Sequence, residues 1–205
     1  MRPLVDRYRP ADRAALYDIC LRTGDLGADA GPLHTDPGLL GDVYLGPYLE
    51  LEPGLAFVLR DGDGDDGAPL GYVVGTADTT AFEDACERHW WPPLRGRERA
   101  PRPGGADERL VRIIEDGVRT EARWLARFPA HLHINLLPAA RGGGHGRALL
   151  TRLVTELAQQ EVPGVHLEVD AANTGAVAFY RRTGFAPLEE RPGSLVMARP
   201  LEDLR

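Results

Sequence analysis

Residues 131–150 read HLHINLLPAARGGGHGRALL, and the fold turns on them. An apolar run ends at Pro138. Arg141 follows, then four glycines within the next five residues, then a pattern that keeps helical spacing from Arg147. That is strand, glycine-rich turn, helix. Glycines let main-chain N–H groups converge without interference from a Cβ, and the first turn of a helix has N–H groups with no intrahelical acceptor. Those donors and the positive end of the helix dipole point the same way, which suits a phosphate or diphosphate. Two common phosphate loops are excluded. In GxGxxG the sixth position must be glycine, but counting from Gly142 it is Arg147 and from Gly144 it is Leu149. GxxxxGK[ST] needs a lysine, and the chain has none. What remains is Arg-x-x-Gly-x-Gly on Arg141, Gly144 and Gly146. By itself such a loop can also be a plain tight turn, so the surrounding sequence has to decide.

A length of 205 residues suits one domain, 1–205, with room for an insertion. No apolar run reaches membrane-spanning length, and MRPLVDRYRP does not read as a secretory signal. Cys20 and Cys86 lack metal-ligand spacing and read as packed thiols, so a cytoplasmic setting is expected. The net charge of −7 and the dispersed arginines argue against nucleic-acid binding.

Along the chain, residues 2–8 read as a first strand, and Pro10 and Asp12 start a helix that ends at Gly24. A second helix is expected over Gly38–Leu49. Leu55–Arg60 and Leu70–Asp78 form a hairpin. Its Asp-Gly connection resembles a calcium loop but fails the pattern, because Asp66 and Tyr72 fall where Gly and Glu are required. No metal site is expected. Residues 79–130 form a helical insertion between the third and fourth strands: Thr80–Trp91, an exposed and mobile loop over Arg95–Asp107, then Glu108–Gly117 and Glu121–Phe128. Leu110, Ile113, Ile114, Trp124 and Leu125 are core candidates, and the Trp90–Trp91 pair is either a helix anchor or a wall for substrate. His131–Leu137 is the fourth strand, Gly146–Gln160 a helix, and Val165–Asp170 a strand parallel to the fourth. Residues 171–185 hold the last helix, and Phe185–Arg191 with Leu195–Pro200 close the chain as a hairpin.

Asn173 and Phe179-Tyr180-x-x-x-Gly184-Phe185, one strand after Arg141-x-x-Gly-x-Gly, resemble the paired signature of the GCN5-related N-acetyltransferases (GNAT). YRPADRAALYDICLRTGD from Tyr8, Gly41-Asp42, GYVVGTADTTAF from Gly71, the Trp–Pro segment and FPAHLHINL from Phe128 are similar to the acetyltransferase-like C-terminal domain of animal protein O-GlcNAc hydrolases. In that animal domain the phosphate loop is degraded; here Arg141 to Arg147 is intact. The resemblance implies an α/β (α+β) GNAT fold, with a mixed sheet of about seven strands splayed between the fourth and fifth. It implies acetyl-CoA as cofactor, with CoA as product, and transfer of the acetyl group to a primary amine by direct attack through a tetrahedral intermediate. The alternatives are a non-catalytic acetyl-CoA-binding or protein-recognition module, and an O-acetyltransferase. The acceptor, a small amine or a protein or peptide, is not fixed, and nothing in the sequence sets the oligomeric state.

By the same resemblance, the cofactor lies on Arg141, Gly142, Gly143, Gly144, His145, Gly146 and Arg147 and pairs with the main chain at Asn135, Leu136 and Leu137. An N–H near Leu136 polarises the thioester carbonyl. Asn173 bonds the pantetheine or orients the site, and Tyr180 protonates the leaving thiolate. The base that deprotonates the amine is Asp78, Glu168, Asp170, His133 or a water chain, with Asp78 narrowly preferred. Asn135 has no useful proton affinity and could only hold a water or the substrate. Residues 79–130 would form a wall of the acceptor site.

Overall fold

The computed structural model describes residues 4–62, 67–120 and 122–202. Residues 2–3 of the expected first strand, the centre of the Asp-Gly turn and Glu121 lie outside them. Seven strands form one sheet: β1 (Leu4–Arg7), β2 (Ala56–Arg60), β3 (Pro69–Thr76), β4 (Ala130–Leu136), β5 (Gly164–Asp170), β6 (Ala186–Arg191) and β7 (Ser194–Pro200). Their spatial order is β1-β2-β3-β4-β5-β7-β6. Only β4 and β5 pair in parallel, and the helix between them makes the expected crossover. The closing hairpin folds back so that β7, not β6, lies beside β5.

Strand alternation sorts the core into two layers. On β2, Phe57 and Leu59 point to one face, while Ala56 and Val58 point to the other. The first face is covered by α7 (His145–Gln159), through Leu149, Leu150, Leu153 and Leu157, and by α8 (Thr174–Arg182) through Phe179 and Tyr180. The second face carries α1 (Arg13–Arg22), α2 (Leu39–Tyr44), α3 (Gly46–Leu51), α4 (Thr79–Ala85), α5 (Trp91–Arg95) and α6 (Ala106–Asp116).

Three helical expectations are corrected. Gly38–Leu49 is not one helix. It breaks at Leu45 (φ −133°) into α2 and α3, because Pro47 has no N–H for the carbonyl one turn back and its ring crowds that turn. Thr80–Trp91 continues through a π-helical turn, Cys86–Trp90, into α5; the wider turn takes up the register that Pro92 and Pro93 cannot supply. Of the expected helix Glu121–Phe128, among the described residues only Arg123–Ala126 is helical, as a 3-10 turn. Among the core candidates Leu110 and Ile114 are buried, whereas Ile113, Trp124 and Leu125 are half-buried. Trp124 instead packs on His166 and donates to Glu189. The stretch over Arg95–Asp107 has no regular structure from Arg97 to Gly105, and α6 begins at Ala106, earlier than expected.

The start of α1 is fixed to the sheet by a buried ion pair, Arg60 to Asp12 at 2.7 Å. Asp12 also accepts from the main-chain N–H of Arg9 (2.8 Å), so both carboxylate and guanidinium have been taken from water for a defined geometry. Asp12→Ala, which strands a buried guanidinium, should lower unfolding free energy in urea by about 3–5 kcal/mol, while Asp12→Leu with Arg60→Met should recover most of it. A single variant within about 1 kcal/mol of wild type would show the pair to be dispensable.

Candidate active site

The sheet opens in the middle. β4 stays in register with β3 as far as Gly71 opposite Leu136, and β5 stays with β7 as far as Asp170 opposite Ser194. Between them β4 and β5 share two pairs, Ala130 with Val165 and His131 with His166. Beyond that point the strands part and bound a crevice of about 980 Å³. The N–H of Leu137 bonds to Leu70 O on the β3 side (2.9 Å). Main-chain groups alternate along a strand, so Asn135 faces β3 as well, and Ile134 and Leu136 present N–H and C=O to the gap. Of the three residues expected to pair with a cofactor through the backbone, only Leu136 therefore offers its main chain to the crevice. Leu137 packs in the core of the opposite layer.

The glycine-rich loop closes one end. After the 3-10 turn Pro138–Ala140, Gly142 (φ +85°) and Gly144 (φ +81°) adopt left-handed conformations that a side chain would strain. Space is not the reason, since nothing lies within 4 Å of a Cβ at either position. Gly146 is different: a Cβ there would stand 3.3 Å from the Phe179 ring. The two glycines of Arg-x-x-Gly-x-Gly thus answer to different constraints, backbone angle at Gly144 and helix–helix approach at Gly146. The first main-chain bond into α7 is Ala148 N–H to Gly144 O (3.0 Å). From Gly142 to Arg147 the N–H groups have no protein acceptor among the described residues. This cradle fits a diphosphate, and Arg141, Arg147 and Arg182, which line the same crevice, add positive charge.

Asn173 and Tyr180 line the crevice from α8. The Asn173 side chain caps that helix by accepting from Ala176 N–H (3.0 Å), which fixes the amide at the crevice wall. Tyr180 is buried on Phe179 and Phe185, and burial raises its phenol well above the usual range, so the hydroxyl keeps its proton. Asn135 donates to Thr23 Oγ1 (2.7 Å), which donates to Ile19 O (2.7 Å), joining β4 to the end of α1. Three of the candidate bases, His133, Glu168 and Asp170, also line the crevice. Glu168 accepts from Arg191 (3.0 Å) and Ser194. Asp78 does not line it. Its exposed carboxylate caps α4 by accepting from Ala81 N–H (3.0 Å), so strand position placed it at the site while local capping chemistry claimed it. No residue of the insertion, including both tryptophans, lines this crevice either. Trp91 is buried, and Trp90 donates to Asp42 O (2.8 Å) on the far side of α2.

Sequence reasoning missed the aromatic and polar cluster behind His133. His131 Nε2 meets Tyr48 OH at 2.6 Å and its Nδ1 meets Thr79 Oγ1 at 2.7 Å. Thr79 spends its only hydroxyl proton on Pro129 O (2.6 Å), so it accepts from His131 Nδ1–H, and Nε2 accepts from Tyr48. This assigns one neutral tautomer. His131 shares the parity of His133 and Asn135, so carrying strand alternation one step back would have found it. Tyr44, which packs edge-on against His133, and the buried residue Cys20 also line the crevice. Burial lowers His133 to about 4, with His166 adding to the effect, and lowers His131 in the same direction.

With this geometry, the comparisons with known proteins agree. The acetyltransferase (GNAT) family model matches residues 36–185, and the chain belongs to that family. Rat (Rattus norvegicus) protein O-GlcNAcase is 27% identical over 199 residues; the match takes in 93% of this chain but only 21% of that protein, so the chain spans about a fifth of its relative. The crystal structure of SsHAT superposes with a TM-score of 0.90 at 41% identity, covering 98% of this chain and 99% of that one. A phosphinothricin acetyltransferase from Sinorhizobium meliloti, solved in complex with AcCoA, has a TM-score of 0.57 at 18% identity, covering 98% and 89%, and shares the fold. Among the described residues no helix is long and apolar enough to cross a membrane.

Three histidines lowered by burial, His131, His133 and His166, tie stability to pH. Above pH ~6.5 they are neutral in both folded and unfolded chains, so their contribution is complete. As pH falls through that value the unfolded chain takes up protons that the fold refuses, until His133 titrates near 4. Unfolding free energy should therefore drop between pH 6.5 and 4 by up to about 1.4 kcal/mol per pH unit for each imidazole. His133→Asn should make that slope shallower by about one proton, and an unchanged slope would contradict the assignment.

Proposed function

We propose that the chain is an acetyl-CoA-dependent N-acetyltransferase that acylates a primary amine. The observation that carries this reading is the continuity of the crevice: one open strand edge leads from the unpaired N–H groups of Gly142–Arg147 to Tyr180 and His133. The amide cradle would hold the diphosphate, and the gap-facing groups of Ile134 and Leu136 would take the pantetheine amides, with Asn173 beside them. Acetyl-CoA supplies an activated thioester acyl group that an amine can attack directly, through a tetrahedral adduct. The family's acyl-CoA complexes, including the one with AcCoA, support the same ligand for this chain.

Each protein group then has a defined task. A gap-facing N–H of β4 is a preorganised donor for developing oxyanion charge. Tyr180 donates a hydrogen bond to the departing sulfur. Because burial raises the phenol, full proton transfer to a thiolate near pKa ~8.5 is uphill, and the bond itself is the larger contribution. His133 is neutral over the physiological range and lines the crevice, as does Glu168, which would attract an ammonium ion; that ion gives one proton to solvent before the neutral amine attacks. A nitrogen in the tetrahedral adduct is far more acidic than the free amine, so even a weak imidazole base can receive its proton, directly or through water. Asp78 is not carried into this scheme.

The non-catalytic alternative shares the first step and lacks the second. Acetyl-CoA at 100 times its dissociation constant should stabilise the fold by about 2.7 kcal/mol, read as a rise in melting temperature; no rise at millimolar acetyl-CoA would remove both readings. Thiol release across a panel of primary amines separates enzyme from binding module. With a productive amine, Tyr180→Phe should lower kcat about 10- to 100-fold, as expected for loss of one hydrogen bond to a charged leaving group. Glu168→Gln should act mainly on KM for the amine; an unchanged KM would take Glu168 out of the acceptor site.

A further inference from the structure

The Arg141 side chain does not simply point at the phosphate cradle. Its guanidinium donates from Nε (3.1 Å) and one terminal nitrogen (2.9 Å) to Leu136 O, and the same terminal nitrogen reaches Gly27 O at 2.6 Å. Leu136 belongs to the open edge of β4, and Gly27 to the turn that follows α1. The turn is tight: Asp25 and Ala28 exchange main-chain bonds (3.1 and 2.6 Å), while Leu26 (φ +49°) and Gly27 (φ +92°) are both left-handed. Leu26 and Gly27 line the crevice with Thr23 and Gly24, beside Tyr44 and His133. A Cβ at Gly27 would stand 3.3 Å from the guanidinium, so glycine here serves the close approach as well as the backbone angle.

We propose that Arg141 is a positioning residue that ties the acceptor wall to the cofactor bed, and that it gives up this tie when the cofactor enters. The proposal rests on the reading of the crevice given above. Its logic is competition for one carbonyl. Leu136 O is a gap-facing acceptor of the kind a pantetheine N–H requires, and Arg141 covers it with two charged donors. A diphosphate on the amides that begin one residue later offers the guanidinium a stronger partner, since charge-assisted bonds to phosphate exceed those to a neutral carbonyl. Entry of the cofactor thus supplies both a competitor for Leu136 O and a destination for Arg141. Once the guanidinium moves, Gly27 loses its bond across the crevice and the 24–28 turn is freed at the mouth of the acceptor compartment. Occupancy of one half of the site and order in the other are then linked through a single side chain.

The test is a spin label on the turn. Leu26 is half exposed, whereas Cys20 and Cys86 are both buried, so a thioether-linked nitroxide on Leu26→Cys can be placed selectively. Desulfo-coenzyme A serves as the ligand because it has no thiol, and a melting shift recorded on the same sample reports whether it binds. Without ligand the label should be restricted, and with ligand its rotational correlation time should shorten by about twofold or more, within the nanosecond range of loop motion. Arg141→Met should give the mobile spectrum from the start and no further response, whereas Arg141→Lys, which can hold one carbonyl at a time, should fall between them. A merely structural role for Arg141 would loosen the turn in Arg141→Met but leave the wild-type spectrum indifferent to ligand. A wild-type label that tightens or stays unchanged once a melting shift proves binding overturns the proposal, as does an Arg141→Met spectrum equal to wild type. Absence of any melting shift removes the cofactor reading itself, and the linkage falls with it.

Discussion

The site depends on a pair of strands that stop pairing. Each of β4 and β5 is fully satisfied on its outer side, by β3 and by β7, and each leaves its inner side after two shared positions. An unpaired main-chain edge inside a protein is costly, because every N–H and C=O withdrawn from water without a partner forfeits a hydrogen bond. A fold keeps such an edge when something else supplies the partners. Here the gap-facing groups of Ile134 and Leu136, of which Leu136 O is covered by Arg141, run towards six unpaired N–H groups in the glycine-rich loop. A ligand with amides along its length and phosphates at one end answers both. The length of the gap, the positive φ of Gly142 and Gly144 and the close packing of Gly146 on Phe179 are parts of one requirement.

The two faces of the sheet divide the work. On one, α7 and α8 bring the loop and Tyr180 to the gap from a rigid apolar layer. On the other, His131, His133 and Asn135 stand beneath α1, α2 and α3, fixed by Tyr48, Thr79 and Thr23. The directional chain from Tyr48 through His131 and Thr79 to Pro129 O ends on a carbonyl that has no proton to pass on. It therefore locks β4 to α3 and α4 and is not an exit for protons. His133, two residues along the same face of β4, lines the crevice and is the group to which the proposed mechanism gives the role of base.

Much of this could be read from the residues. The strand–glycine–helix passage, the parallel crossover and the closing hairpin follow from local rules about periodicity and turn residues, and the pairing of the two motifs with family patterns gave the splay. Local rules also failed in identifiable ways. Asp78 lies at the end of a central strand, which suggested the site, yet an aspartate just before a helix is a cap first. The stretch Gly38–Leu49 kept helical spacing but carried Pro47 in its middle. The insertion divides: α6 packs on α2, whereas α4 brings Thr79 and Phe82 against His131, and order along the chain does not say which neighbour an element meets. The contacts that shape the acceptor half, Asn135 with Thr23, His131 with Tyr48 and Arg141 with Gly27, join residues roughly eighty to more than one hundred positions apart. No window along the sequence contains both partners.

A crystal structure of the protein soaked with acetyl-CoA bears most directly on the central claim. The account requires the diphosphate on the amides from Gly142 to Arg147, pantetheine amides bonded to the gap-facing groups of Ile134 or Leu136, and the thioester sulfur within hydrogen-bond reach of the Tyr180 hydroxyl. A ligand that leaves the β4 edge bare, or a diphosphate held anywhere else on the molecule, would contradict it.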